Sequence, residues 1–165
     1  MAITRGSIQG FEMKAYWDSA SSADTPTWVE MPRIKDLTIG LTKNQADVSR
    51  RESDFQLFGG GQKDTTLEFG WQYRANIADG VDTVYDALLD SFLNNTPMQL
   101  LLVDGVVPPA SGETTRGWKM WAVVFDFGDD QALQEGVVIN VVMKPTDVYN
   151  GSGLLVPEKY LETTP

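Results

Sequence analysis

LTKNQADVSRRESDFQLFGGGQKDTTLEF, Leu41 to Phe69, begins at the end of one β-pattern and finishes inside another. Upstream, Leu37, Ile39 and Leu41 alternate with Asp36, Thr38, Gly40 and Thr42. Downstream, Leu67, Phe69, Trp71 and Tyr73 alternate with Thr66, Glu68, Gly70 and Gln72. Such alternation marks strands with one face toward a core and the other toward polar surroundings. Compact domains usually join strands in about 4–6 residues, and unstructured loops beyond about 12–15 residues generally have a task. The excursion over about 43–64 is too long, too polar and too glycine-rich for a simple link. It nevertheless carries Val48, Phe55, Leu57 and Phe58, apolar groups that a free loop does not need. The segment therefore reads as an arm packing on another subunit. Arg50, Arg51 and Glu52 are placed for charge-assisted contacts there, and Gly59–Gly61 lets the chain turn back. The competing reading is a local loop folded over its own sheet.

The rest of the chain narrows the chemistry. Its 165 residues suit one domain, 1–165, with a real core. A net charge of -10 and a pI near 4.3 argue against a general nucleic-acid binder, which needs a basic face. Cys and His are both absent, which removes disulfides, thiolate and imidazole metal ligands, and Ser-His-Asp or Cys-His catalysis. No catalytic, cofactor-binding or metal-binding residues are assigned. No run approaches a membrane span, and MAITRGSIQGF lacks the apolar segment of a signal peptide, so the expectation is a protein made in a cytoplasm with no membrane anchor.

Further strands are expected around Ile8–Trp17, at Trp28–Met31 and Met98–Val103, and in the Val-, Ile- and aromatic-rich Gly117–Phe127 and Gly136–Lys144. GDDQALQEG, Gly128–Gly136, reads as a connection longer than a tight hairpin. One helix, about 80–94, stands out: Val81, Val84, Tyr85, Leu88 and Phe92 repeat at three- and four-residue spacing. Asp79 is the expected N-cap and Pro97 bars continuation. Asp82, Asp86 and Asp90 form a stripe of like charge, either simply solvated or meeting Lys or Arg of another subunit. Trp118 and Trp121, at odd spacing, should face opposite sides of a strand, so a second sheet face needs cover from another chain. FGGGQKD lacks the Walker spacing and is followed by a strand, not a helix. Asp126-Phe127-Gly128 stands without the rest of a kinase. Asp126, Asp129 and Asp130 read as turn acids.

From Trp28 to about Lys144 the order of pieces resembles the tail tube (major tail) proteins of long-tailed bacteriophages. These share a fold with the inner tubes of contractile tails and of type VI secretion machines. WVEMPRIKDLTIGLTKNQADVSRRESDF resembles the family's opening block. There a strand leads to an acid-apolar-Ser/Thr-Arg segment, here Asp47-Val48-Ser49-Arg50, and then to an aromatic, here Phe55. A strand of the TTLEFGWQY type, one helix and further strands follow. The resemblance implies a mainly β fold, a β-sandwich or small barrel with one flanking helix. It implies six-membered rings whose sheets join around a lumen, stacked into a tube through which DNA leaves without specific binding. The location implied is a virion tail, with tape-measure and terminator proteins as neighbours and no enzymatic activity. The polar positions Glu68, Gln72, Asp36 and Thr38 are the lumen candidates, and the acidic balance suits a channel that repels phosphates. Met1–Ser7 and Asn150–Pro165, the latter within a C-terminal extension over about 145–165, fall outside the pattern and are expected on neighbouring subunits. Three alternatives stay open. One is a non-catalytic β-sandwich binding carbohydrate through exposed Trp. Another is a carboxylate hydrolase with two acids in one cleft, and the third is another ring-forming tail or head-completion protein.

Overall fold

The two alternating segments that frame the excursion are partners in one hairpin. The structure, a computed structural model, describes residues 13–20, 25–47, 58–73, 82–132, 136–150, 153–155 and 157–164. Strands β3 (Ile34–Asp47) and β4 (Phe58–Gln72) pair antiparallel from Ile34↔Trp71 out to Asp47↔Phe58. Much of the expected excursion is therefore strand: Lys43 faces Lys63, Gln45 faces Gly60, and Ala46 faces Gly59. A ribbon gives the backbone N–H and C=O groups the ladder partners they would otherwise seek in water. Val48, Arg50, Arg51, Glu52, Phe55 and Leu57 lie outside the described residues, and Phe58 opens β4.

The other elements are β1 (Lys14–Asp18), β2 (Trp28–Glu30), α1 (Thr83–Asn94), β5 (Met98–Val103), β6 (Thr114–Ala132), β7 (Gly136–Pro145), β8 (Val148–Asn150), β9 (Gly153–Leu155) and β10 (Glu158–Thr163). Eight strands form one antiparallel sheet in the order β2-β1-β5-β6-β7-β4-β3, with β10 also paired to β6; β8 and β9 form a separate ribbon. The sheet's end strands, β2 and β3, are joined by residues 31–33 alone, so the sheet must roll until its ends approach. A groove of about 660 Å³ marks that seam, lined by Met13, Ala15 and Met31 on one side and Leu37 and Ile39 on the other. The long strand β6 makes the roll, pairing with β5 over Gly117–Ala122 and with β7 over Ala122–Ala132. The mainly β architecture with one flanking helix is thus a single rolled sheet rather than two separate ones.

Alternation builds the core. Leu67, Phe69 and Trp71 of β4 meet Ile139, Val141 and Met143 of β7 inside the roll, with Val84 and Leu88 of α1 closing it. β5 departs from alternation because it is buried on both faces. Leu100 and Leu102 point into this core, while Leu101 and Val103 join Tyr16 of β1 in a second cluster behind it. Trp118 packs against the main core and Trp121 lies on the reverse face, as their odd spacing requires. Trp121 is buried within its own subunit, so it needs no cover from another chain.

α1 starts later than expected. Its N-cap is Asp82, whose Oδ1 accepts the Tyr85 N–H at 3.2 Å; Asp79 lies outside the described residues. Asp82 is buried and leaves the acidic stripe, which reduces to the exposed Asp86 and Asp90. The inward face is Val84, Leu88 and Ser91. Phe92 sits at its margin, 40 % exposed, stacked on Phe127 at 6.0 Å between ring centroids. Leu88 is fully buried, so Leu88→Ala should cost about 3 kcal/mol in urea unfolding, the transfer and cavity terms together. An unchanged midpoint would show that α1 does not close the core.

Two segments differ from the expectation of the sequence. GDDQALQEG is mostly strand: β6 and β7 stay paired to Ala132↔Gly136, and only 133–135 separate them. Asp126, Asp129 and Asp130 are therefore strand residues, not turn acids. The C-terminal extension returns to its own subunit, with β10 pairing β6 from Glu158↔Lys119 to Thr163↔Thr114. β7 reaches only the second half of β6, and β10 fills the edge left by the first half, helped by a 2.7 Å Lys119–Glu158 ion pair. Met1–Ser7 lies outside the described residues.

Candidate functional site

The features able to carry function are a polar sheet face and the strand edges that bound it. β3, β4, β7 and the second half of β6 run antiparallel throughout. Cross-strand pairing sets rows on the face turned away from the core. One row reads Thr38, Glu68, Val142, Asp126; the next reads Lys35, Gly70, Asn140, Gly128. Thr38 and Glu68 are thus direct neighbours and both exposed, and Gln72 lies further along the same face, half-buried opposite Val138. Asp36 is different. It sits in a register shift between Lys35 and Thr38 with φ 52, so its direction is set by the irregularity and not by alternation.

The sequence reading missed Asp126 and Asn140 on this face. β6 carries a bulge: Val124 pairs Met143, and Asp126 pairs the next residue, Val142, leaving Phe125 as the extra residue. Without that extra residue Asp126 would share the core-facing side with Val124. The signal was present in the apolar run from Trp121 to Phe125, which breaks alternation just before an acid.

Two edges of this four-strand block have no strand partner among the described residues. β3 pairs only with β4. β6 is followed by β5 as far as Met98↔Ala122, and beyond that point its edge continues from Val123 to Ala132 alone. There α1 takes over locally, Ser91 Oγ accepting the Val124 N–H at 3.1 Å. Phe125 at the bulge is 62 % exposed. Unpaired edges are templates for another strand, and soluble proteins normally blunt them.

A buried cluster fixes α1 beside this edge. Asp82, its side chain 3 % exposed, accepts from Trp71 Nε1 through Oδ2 at 3.2 Å. Arg33 Nη1 lies 3.1 Å from the same oxygen, an ion-pair distance without hydrogen-bond alignment. The Arg33 guanidinium also stands over the Trp71 ring, 4.9 Å from its centroid. One carboxylate thereby ties β4, the residues before β3, and the helix N-terminus together.

Among proteins of known structure, the fold has clear counterparts. A chain of the SPP1 tail tube superposes with a TM-score of 0.64 at 15% identity, covering 95% of this chain and 81% of that one. A chain in the tail of the empty GTA particle, refined with C6 symmetry, gives 0.63 at 11% identity, over 86% of this chain and 96% of that one. A chain of the anti-feeding prophage (AFP) baseplate gives 0.52 at 12% identity, over 99% and 98%. No family model and no curated protein sequence matches the chain. The chain has the tail-tube fold.

Proposed function

We propose that this protein is a structural subunit of a virion tail, whose copies close into rings through their sheet edges and stack into a tube that passes DNA. The observation that carries the proposal is the pair of edges, at opposite ends of the β3-β4-β7-β6 block, that have no strand partner among the described residues. The four strands alternate in direction, so the β6 edge of one copy meets the β3 edge of the next antiparallel and extends the same ladder. Six copies per ring is the number favoured by the C6 symmetry of the GTA tail. The protein is a building part without catalysis or cofactor, assembled in the host cytoplasm, and its neighbours are further copies and other tail proteins such as tape measure and terminator. The β3–β4 ribbon, with the arm residues Val48 to Phe58 at its end, reaches a neighbouring copy. Purified protein should elute well above 18.2 kDa and show rings or tubes in negative stain. Replacing Asn44–Gln62 by a short turn should leave a folded β-rich subunit that no longer forms tubes. A wild-type protein monomeric at all concentrations would remove the proposal.

In such a ring the polar face lines the channel. Exposed Glu68 and Asp126 flank Val142 there and exposed Asp64 lies further along β4 on the same face, against Lys144 and the half-buried Lys35. The wall should be net negative, which keeps phosphates from binding as DNA passes. A cryo-EM map of the tube with a lumen ringed by Lys and Arg would contradict this assignment.

A further inference from the structure

Away from the joining edges, two exposed patches carry charges without an ion-pair partner among the described residues. On the core side of the β3–β4 ribbon, beyond the core itself, Leu41 is 54 % exposed. The next residues on that face, Lys43 and Lys63, stand directly opposite each other and are exposed. Like charges so placed weaken an antiparallel pair. On α1, Asp86, Asp90 and Leu93 fall at i, i+4 and i+7, one stripe of the helix, all exposed, with Leu93 at 64 %. α1 contains no Lys or Arg to answer these acids. Thr96 and Asn94 donate to Asp90 and hold its carboxyl below the usual range, so it is charged at neutral pH. No ion pair among the described residues engages any of the four charges.

The patches match in spacing as well as sign. Directly opposed strand residues hold their Cβ atoms about 4.5–5.5 Å apart, and helix residues at i, i+4 about 5–6 Å apart. A leucine adjoins each charged pair, Leu41 beside Lys43 along β3 and Leu93 beyond Asp90 along the helix. Both patches also lie on the core side of the sheet, away from the polar face. Within one subunit they are remote: the start of α1 meets Arg33 just before β3, and Lys43 stands about 30 Å further along that strand.

We propose that the Leu41–Lys43–Lys63 face of the ribbon docks on the Asp86–Asp90–Leu93 face of α1 in a second copy. This rests on the ring-forming reading and names a contact within it. The test uses two double variants of the full chain, Lys43→Glu with Lys63→Glu, and Asp86→Lys with Asp90→Lys. All four side chains are exposed, so each variant should fold with unchanged circular dichroism. Each alone should need at least tenfold more protein than wild type to assemble. Their equimolar mixture should assemble near the wild-type concentration, because each supplies the face that the other has inverted. Zero-length carbodiimide cross-linking of wild-type tubes should join Lys43 or Lys63 to Asp86 or Asp90 between copies. Variants that assemble like wild type, a mixture that does not recover, or tubes without these cross-links would each overturn the contact while leaving the ring-forming reading intact. Failure of wild type to assemble at all would overturn both.

Discussion

Asp82→Ala should destabilise the subunit by about 4 kcal/mol, the range expected when one partner of a buried charge pair is removed. The single carboxylate does three jobs. It caps α1 at Tyr85, accepts from the indole of the fully buried Trp71, and faces the three-quarters-buried Arg33. Loss of a cap alone costs about 1 kcal/mol. An indole N–H left without an acceptor costs about 1–3 kcal/mol, and the guanidinium loses its counter-charge as well. These losses share atoms and do not add. Asp82→Asn leaves one acceptor oxygen where the carboxylate uses two, Oδ1 for the cap and Oδ2 for Trp71, and turns its amide N–H groups toward the other donor, so it should recover less than half of the loss. Urea unfolding of the three proteins checks both statements. A loss below about 1 kcal/mol for Asp82→Ala would mean that the cluster does not anchor the helix.

Gly117→Ala should be worse still, leaving no cooperatively folded subunit. A Cβ at this position would stand 1.9 Å from the Leu102 carbonyl oxygen and 2.8 Å from Val103 Cα. Gly117 lies in β6 between two partners, Val103 of β5 and Tyr160 of β10. The obstacle is the backbone of a strand buried on both faces, so no side-chain rotation relieves it. Overpacking ordinarily costs about 1–3 kcal/mol, and here the ladder itself must separate. Gly40→Ala is the control: its Cβ would meet the nearest atom, Thr66 O, at 3.7 Å, an ordinary contact. Near-UV circular dichroism and thermal melts should show Gly40→Ala close to wild type and Gly117→Ala without a transition.

What was legible in the sequence was what depends on local periodicity. Alternation located β3 and β4, three- and four-residue spacing located α1, and the apolar run Met98–Val103 marked β5 with its bounds. The odd spacing of Trp118 and Trp121 separated two faces correctly. Illegible were features decided by a distant partner. Glycines and charges at 58–64 read as loop because no core face disciplines them, yet β3 supplies their ladder. β10 lacks apolar alternation and exists because the first half of β6 leaves an edge for it. Asp82 lost the capping role to Asp79 in the sequence reading because two acids three residues apart look alike until Trp71 and Arg33 are brought to one of them. On the polar face, Thr38, Glu68 and Gln72 followed from alternation. Asp126 did not, because a bulge at Phe125 reverses the parity of β6.

A cryo-EM map of the assembled wild-type protein tests most directly the edges of β3 and β6 that have no strand partner among the described residues. The map should show backbone pairing between β3 of each copy and the Val123–Ala132 edge of β6 in the next, antiparallel, with Glu68 and Asp126 on the inner wall. An assembly in which both edges stay free, or in which the face bearing Glu68 and Asp126 is turned to the outside, would contradict the proposal.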